Sequence, residues 1–129
     1  TSLAGFNCCP LFCYDLRFHV FSMNLGNAVD VLVYVANWPA KRAAHWRALL
    51  QARAIENQCY VVGVNRLGID GNTVAYQGDS MVVDFQGEII ADAFDRDGLH
   101  YAKLDLAALN DYRAAFPAWM DQDGFTLDL

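Results

Sequence analysis

Two runs of residues constrain what this chain can become. Residues 30–36 read Asp30-Val31-Leu32-Val33-Tyr34-Val35-Ala36, and residues 59–64 read Cys59-Tyr60-Val61-Val62-Gly63-Val64. Both have strand length, are rich in β-branched residues, and do not alternate with polar ones. A strand that does not alternate is buried on both faces, as in a sheet covered on each side. Between the runs, Ala43, Trp46, Leu50, Ala54 and Asn57 recur at three- and four-residue steps. That spacing draws one stripe along a helix, which Pro39 begins. Residues 9–12, Cys9-Pro10-Leu11-Phe12, form a shorter apolar stretch that reads as another buried strand. The order strand, helix, strand, helix, strand argues for an α/β layer architecture with short crossovers.

The remaining stretches are more local. Residues 18–25 can form a helix with an apolar face, and Gly26-Asn27 is its stop signal. Residues 67–77 read as a loop that turns at Asp70-Gly71-Asn72. Residues 81–85 and 88–91 flank Gln86-Gly87 and predict a hairpin. Residues 98–105 alternate and predict a further strand, and residues 106–116 predict a helix capped by Asp105 and stopped by Pro117. The tail sets Trp119, Phe125 and Leu127 among acidic residues. No internal repeat, low-complexity tract or interdomain linker interrupts the chain.

Composition narrows the function classes. A chain of 129 residues is expected to be one domain, and at 55% hydrophobic and 19% charged it can bury a core. A net charge of −6 argues against nucleic acid as a partner, because phosphates demand a basic surface. No apolar run approaches the roughly 20 residues that span a bilayer, and no signal-peptide pattern is visible. Of the four cysteines, Cys8 and Cys9 are adjacent, and the spacings fit no zinc site. The expectation is a reduced, cytoplasmic protein with no metal and no cofactor, in which Cys8, Cys9 and Cys59 are core or near-core thiols. The chain opens on Thr1-Ser2-Leu3-Ala4 rather than methionine, which reads as a piece of something longer.

Cys13 is the candidate for chemistry. It follows the stretch 9–12 and precedes a helix-forming segment. A cysteine where a strand enters a helix meets outward-pointing backbone N–H groups, which favour an anionic nucleophile. A small buried core cysteine is the plainer reading of the residue by itself. Asp15 and Arg17 follow closely. Arg17 could lie near a substrate carboxylate, or the two could anchor the turn as a buried charged pair, and the structural role is favoured. Asn37 and Trp38 end the run 30–36, and ligands of α/β sheets bind beyond the carboxyl ends of strands. Asn37 is the better placed of the two for a pocket, and Trp38 is as readily core as pocket. Arg53 and Glu56, three apart on the helix, read as structural, pairing with each other or with the loop at Arg66. Gly78-Asp79-Ser80 opens a strand, with Gly78 suggesting close backbone approach.

The motifs in sequence resemble the nitrilase superfamily of carbon–nitrogen hydrolases, and within it the omega-amidase-like amidases. The resemblance rests on Cys13-Tyr14-Asp15-Leu16-Arg17-Phe18, Ala36-Asn37-Trp38-Pro39, His45-Trp46 and Ala52-Arg53-Ala54-Ile55-Glu56-Asn57-Gln58. It continues through Val64-Asn65-Arg66, Asp70-Gly71-Asn72 and Gly78-Asp79-Ser80. It implies an α/β (α+β) fold, with residues 1–129 as the C-terminal half of a four-layer α-β-β-α sandwich and the N-terminal half absent. It implies Cys13 as nucleophile, with the Tyr14 backbone N–H and a lysine at the oxyanion and a glutamate as base. It further implies a small-molecule amide substrate, a monoamide of a dicarboxylic acid, and a homodimer.

The family's glutamate and lysine precede the cysteine, and none of the twelve residues before Cys13 is Glu or Lys. Lys41, Lys103, Glu56 and Glu88 match no catalytic position. The chain as given is therefore expected to be an incomplete catalytic unit. The competing expectations are a non-catalytic module that folds or assembles without turnover, and a cysteine hydrolase of unrelated mechanism. A histidine partner would have to be His19, His45 or His100. His19 stands where the family usually has proline, and it lies on the segment leading away from Cys13.

Overall fold

A computed structural model describes residues 1–124 and 126. Among these residues, eight strands and two α-helices alternate with short 3-10 turns: β1 (Ser2–Leu3), β2 (Phe6–Phe12), β3 (Val31–Ala36), α1 (Ala43–Asn57), β4 (Tyr60–Asn65), β5 (Leu67–Ile69), β6 (Ala75–Gln77), β7 (Ser80–Val83), β8 (Ile89–Phe94) and α2 (Leu106–Ala115). Six strands make one sheet in the order β1-β2-β3-β4-β7-β8, and β5-β6 make a separate two-stranded arm. The centre, β2-β3-β4, is parallel, with Phe12 opposite Val35 and Val35 opposite Val64. The mixed α/β fold expected from the two apolar runs is the fold that forms.

One face of the sheet is closed by α1. Leu32, Tyr34, Ala36, Val61, Met81 and Val83 pack there against Trp46, Leu50 and Ala54. Three residues of the expected helical stripe, Trp46, Leu50 and Ala54, are fully buried, so the periodicity located the face correctly. The helix itself starts at Ala43. Pro39 instead caps a 3-10 turn, Ala40–Arg42. Close approach of α1 requires Gly63, since a Cβ there would collide with Leu50 and Trp46.

The other face is covered only in part. There α2 seats Leu109 against Val31, Tyr60 and Phe85. It is docked by Arg113, whose guanidinium pairs with Asp30 at 2.8 Å and donates to the carbonyls of Gln58 and Val29. Both partners of this ion pair are nearly buried. Removing one partner leaves the other charge uncompensated, so Arg113→Ala in the full-length protein is expected to cost about 3–5 kcal/mol. Denaturant melts of the two proteins check it. Beyond α2 the same face stays open: Phe12 is 70% exposed, Val35 52% and Val64 46%. The two runs are apolar on both sides, yet this chain covers one side and a fraction of the other.

Three local expectations need correction. Residues 18–25 form 3-10 turns, His19–Ser22 and then Leu25–Asn27, rather than a helix. Phe18 is extended, the Ser22 hydroxyl donates to the His19 carbonyl, and the Asn24 side chain takes bonds a helix would need by accepting from Val29 N–H and donating to the Val29 carbonyl. Residues 67–77 are ordered as the β5-β6 hairpin, with the turn at Asp70 where expected. Residues 98–105 are not a strand: Leu99 and Tyr101 are 85% and 83% exposed, so the alternation there has no sheet to face. The β7-β8 hairpin and the Asp105 cap of α2 form as expected, the cap accepting from Ala108 N–H at 3.0 Å. Phe125 and Leu127 lie outside the described residues.

Asp79, at the left-handed start of β7, is buried and pairs with Arg47 at 3.0 Å, and Arg47 also grips Asp92 on β8. The hydrogen bond from Arg47 holds the Asp92 carboxyl below the usual aspartate range. A lowered folded value means the contact stabilises the fold above the ordinary aspartate value of about 3.9, and that this stability is lost as pH falls through the folded value. Arg47→Met is therefore expected to lower stability near neutral pH and to flatten its decline below about pH 4. Urea midpoints across that range are the measurement.

Candidate active site

Cys13 sits just beyond the carboxyl end of β2, as the first residue of a 3-10 turn, Cys13–Arg17. Its φ is +27°, a conformation that side chains other than glycine rarely adopt. The chain therefore makes a sharp elbow at this residue, and the thiol is half-buried rather than sealed in the core. The first N–H groups of such a turn, Tyr14 included, have no carbonyl one turn back to bond. The Tyr14 ring itself is exposed and meets Phe18 edge to face.

Two clamps hold the elbow. The Asp15 carboxylate accepts from Phe12 N–H at 2.8 Å, which ties the turn back to the strand it leaves. From α1, buried Arg53 donates to the Leu16 carbonyl at 2.7 Å, while its other nitrogen pairs with Glu56 at 3.0 Å. The expected Arg53–Glu56 pair is thus present, and it reaches the nucleophile turn rather than Arg66.

The expected Asp15–Arg17 pair is not formed. Arg17 lies over the Trp38 ring, 5.1 Å from its centroid, and its Nη2 is 3.3 Å from His45 Nδ1. Asp15 is occupied by the backbone, so Arg17 carries a charge with no carboxylate partner among the described residues. Trp38 is buried, donates from Nε1 to the Arg42 carbonyl at 2.8 Å, and packs on Trp46. It serves as a fixed floor under Arg17. Asn37, one residue earlier, is exposed at the end of β3. Arg17→Ala is accordingly expected to cost only about 0.5–1 kcal/mol, the scale of one exposed cation–π contact, and a thermal melt checks it.

Sequence reasoning gave Asn65 no role, yet its side chain joins three strand ends. Its Oδ1 accepts from Trp38 N–H at 2.7 Å, and its Nδ2 donates to the carbonyls of Trp38 and Gly78. A single amide closing an otherwise apolar strand was the available signal. Gly78 has a φ of +82°, and a Cβ there would lie 2.5 Å from the Phe94 carbonyl, which bears out the close approach. The β5-β6 arm is organised by Asp70, whose carboxylate takes bonds from Asn72 N–H, Val74 N–H and the Tyr76 hydroxyl. The Asp70 bond raises the Tyr76 phenol above its ordinary range, and the Arg66 guanidinium lies over the Tyr76 ring, 4.7 Å from its centroid.

The other cysteines are poorer nucleophiles or lie elsewhere. Burial pushes the Cys59 thiol up to about 12, so it stays protonated at neutral pH. Cys8 and Cys9 lie within β2. None of the histidines bonds Cys13 among the described residues: His45 meets Arg17, and His100 meets the Arg96 carbonyl.

A model of the carbon-nitrogen hydrolase family matches residues 2–114. The match leaves residues 115–129 outside it, and it does not place the chain at the C-terminal half of that domain, as the sequence had suggested. Omega-amidase YafV of Escherichia coli strain K12 is 57% identical over 124 residues, which are 95% of this chain and 48% of that protein. The 2-oxoglutaramate amidase of Paenarthrobacter nicotinovorans is 40% identical over 113 residues, 85% of this chain and 37% of that one. The crystal structure of XC1258 from Xanthomonas campestris, a CN-hydrolase superfamily protein with an arsenic adduct in its active site, superposes with a TM-score of 0.95 at 42% identity. It covers 99% of this chain, which spans 51% of that one. The chain thus spans about half the length of these relatives, or less.

Proposed function

The chain belongs to the carbon-nitrogen hydrolase family, and we propose that it carries the nucleophile of an amidase that hydrolyses the monoamide of a dicarboxylic acid to a carboxylate and ammonia. The observation that carries this is the left-handed elbow at Cys13, a half-buried thiol beyond the carboxyl end of a parallel strand. The omega-amidase names of its relatives support this choice of acyl class.

In this reading Cys13 Sγ attacks the amide carbonyl. The Tyr14 N–H receives the charge that develops on oxygen, with a lysine from outside residues 1–129. A glutamate, also from outside this chain, takes the thiol proton and returns it to the departing nitrogen. Ammonia leaves and a thioester remains on Cys13. Water, activated by the same glutamate, then releases the acid and restores the thiol. Arg17 anchors the far carboxylate, supported by its uncompensated charge and its rigid indole floor, and exposed Asn37 lines the entrance. A homodimer belongs to the same reading, as does a reduced cytoplasmic setting, the latter supported by four free cysteines among the described residues. No described helix is long and apolar enough to cross a membrane.

The test is mass spectrometry of the full-length protein quenched during turnover of a dicarboxylic monoamide. An acyl adduct on the peptide bearing Cys13 is expected. An adduct on Cys59, or turnover without any covalent adduct, rejects the assignment.

A further inference from the structure

Arg17 is flanked on two sides by ring side chains rather than by a carboxylate. Beneath it is the Trp38 indole, buried and tied by Nε1 to the Arg42 carbonyl and by its backbone N–H to Asn65. Beside it is His45, from the first turn of α1, with Nδ1 3.3 Å from Arg17 Nη2. Arginine has only donors, so this contact is a hydrogen bond only when Nδ1 offers its lone pair, which requires the neutral ring with its proton on Nε2. The contact with the indole holds the guanidinium carbon 5.1 Å from the ring centroid, but a contact with a ring face does not fix which way the N–H groups point. A lateral acceptor at one Nη removes that freedom and aims the remaining N–H groups. A carboxylate at the site of Arg17 would have fixed the same orientation while neutralising the charge; a neutral imidazole fixes it and leaves the charge available.

We propose that His45 is a positioning residue for substrate selection: it orients Arg17 toward the distal carboxylate of the substrate. This rests on the reading of Arg17 as the carboxylate anchor. His45 touches no reacting atom, so its effect falls on the affinity for anionic substrates and not on the chemical step. The loss expected is that of one hydrogen bond of ordinary net strength, about fivefold.

The experiment uses the full-length enzyme with two probes of equal chain length, succinamate and neutral butyramide. His45→Leu is expected to raise KM for succinamate about fivefold, to leave kcat near wild type, and to leave butyramide unchanged. His45→Gln, whose carbonyl can accept from Arg17, is expected to restore most of the succinamate KM. Arg17→Met separates the two layers of the argument. If it fails to raise KM selectively for succinamate, the anchor reading falls, and this proposal with it. If Arg17→Met is selective but His45→Leu changes both substrates alike, changes only kcat, or changes nothing, the anchor stands and the positioning role is overturned.

Discussion

Cys13→Ala in the full-length protein is expected to abolish amide turnover while the fold survives almost unchanged. The loss should be on the order of 10⁴-fold or more in kcat, the scale seen when a covalent nucleophile is removed from a set that acts as a unit. The small structural cost follows from the site. The thiol is only half-buried, and the elbow is held by the Asp15 and Arg53 clamps, neither of which uses the sulfur. Alanine also keeps a Cβ, so the unusual φ is neither relieved nor worsened. Ammonia release and a thermal melt on the same preparation decide it. Retained turnover would remove Cys13 from the mechanism, and a lowered Tm with partial activity would make it a packing residue. Cys59→Ala is the matched control: it empties a core position, so it should lower Tm and spare kcat.

Residues 1–129 expressed alone are expected to associate and to show no amidase activity. The sheet face opposite α1 is apolar along two rows, the first half-buried where Val33 and Val62 meet the α2 cluster and the second open. Pro10, Val33, Val62, Val82 and Ala91 form one row across five strands, and Phe12, Val35 and Val64 form the next. Burying apolar area contributes about 25 cal/mol per Å², so several hundred Å² left wet forfeits on the order of 10 kcal/mol. That is comparable to the whole stability of a typical domain, about 5–15 kcal/mol. Such a face seeks cover from another molecule. Activity is expected to fail for a separate reason, since the proposed mechanism draws its glutamate and lysine from outside residues 1–129. Light scattering and an ammonia assay distinguish the two parts. A cooperatively melting monomer would contradict the packing argument, and Cys13-dependent turnover would contradict the incomplete catalytic set.

The parts of the fold that were legible in the sequence are those fixed by one-dimensional pattern. The runs 30–36 and 59–64 and the stripe along α1 specify a buried sheet and its helix, because burial on a face leaves a period in the residues that supply it. The Asp105 cap and the turn at Asp70 were visible because their chemistry is local. Residues 18–25 were misread because helical spacing says nothing of the Asn24 side chain, whose bonds to Val29 and to Asn57 on α1 replace a helix ladder. Residues 98–105 were misread because alternation predicts a strand only where a sheet edge is within reach. At the site, Cys13 was suggested by its place between a strand and an expected helix, and the resemblance carried by residues 13–18 raised it above a core cysteine. The partner of Arg17 could not be read, because two charges two residues apart look like a pair until the backbone of Phe12 claims one of them.

The β5-β6 arm has a consequence for redesign. It belongs to a sheet of its own, its tip is folded by bonds that begin and end within the arm, and Thr73 at that tip already adopts a left-handed turn conformation. Tip length and composition can therefore be varied without breaking a ladder of the six-stranded sheet. The bonds that fold the tip are separate from those that clamp the Cys13 elbow, so such variants leave the foundation of the site in place. The arm is a graft point: a library confined to residues 71–74, which lie between its two strands, varies the loop at little risk to folding.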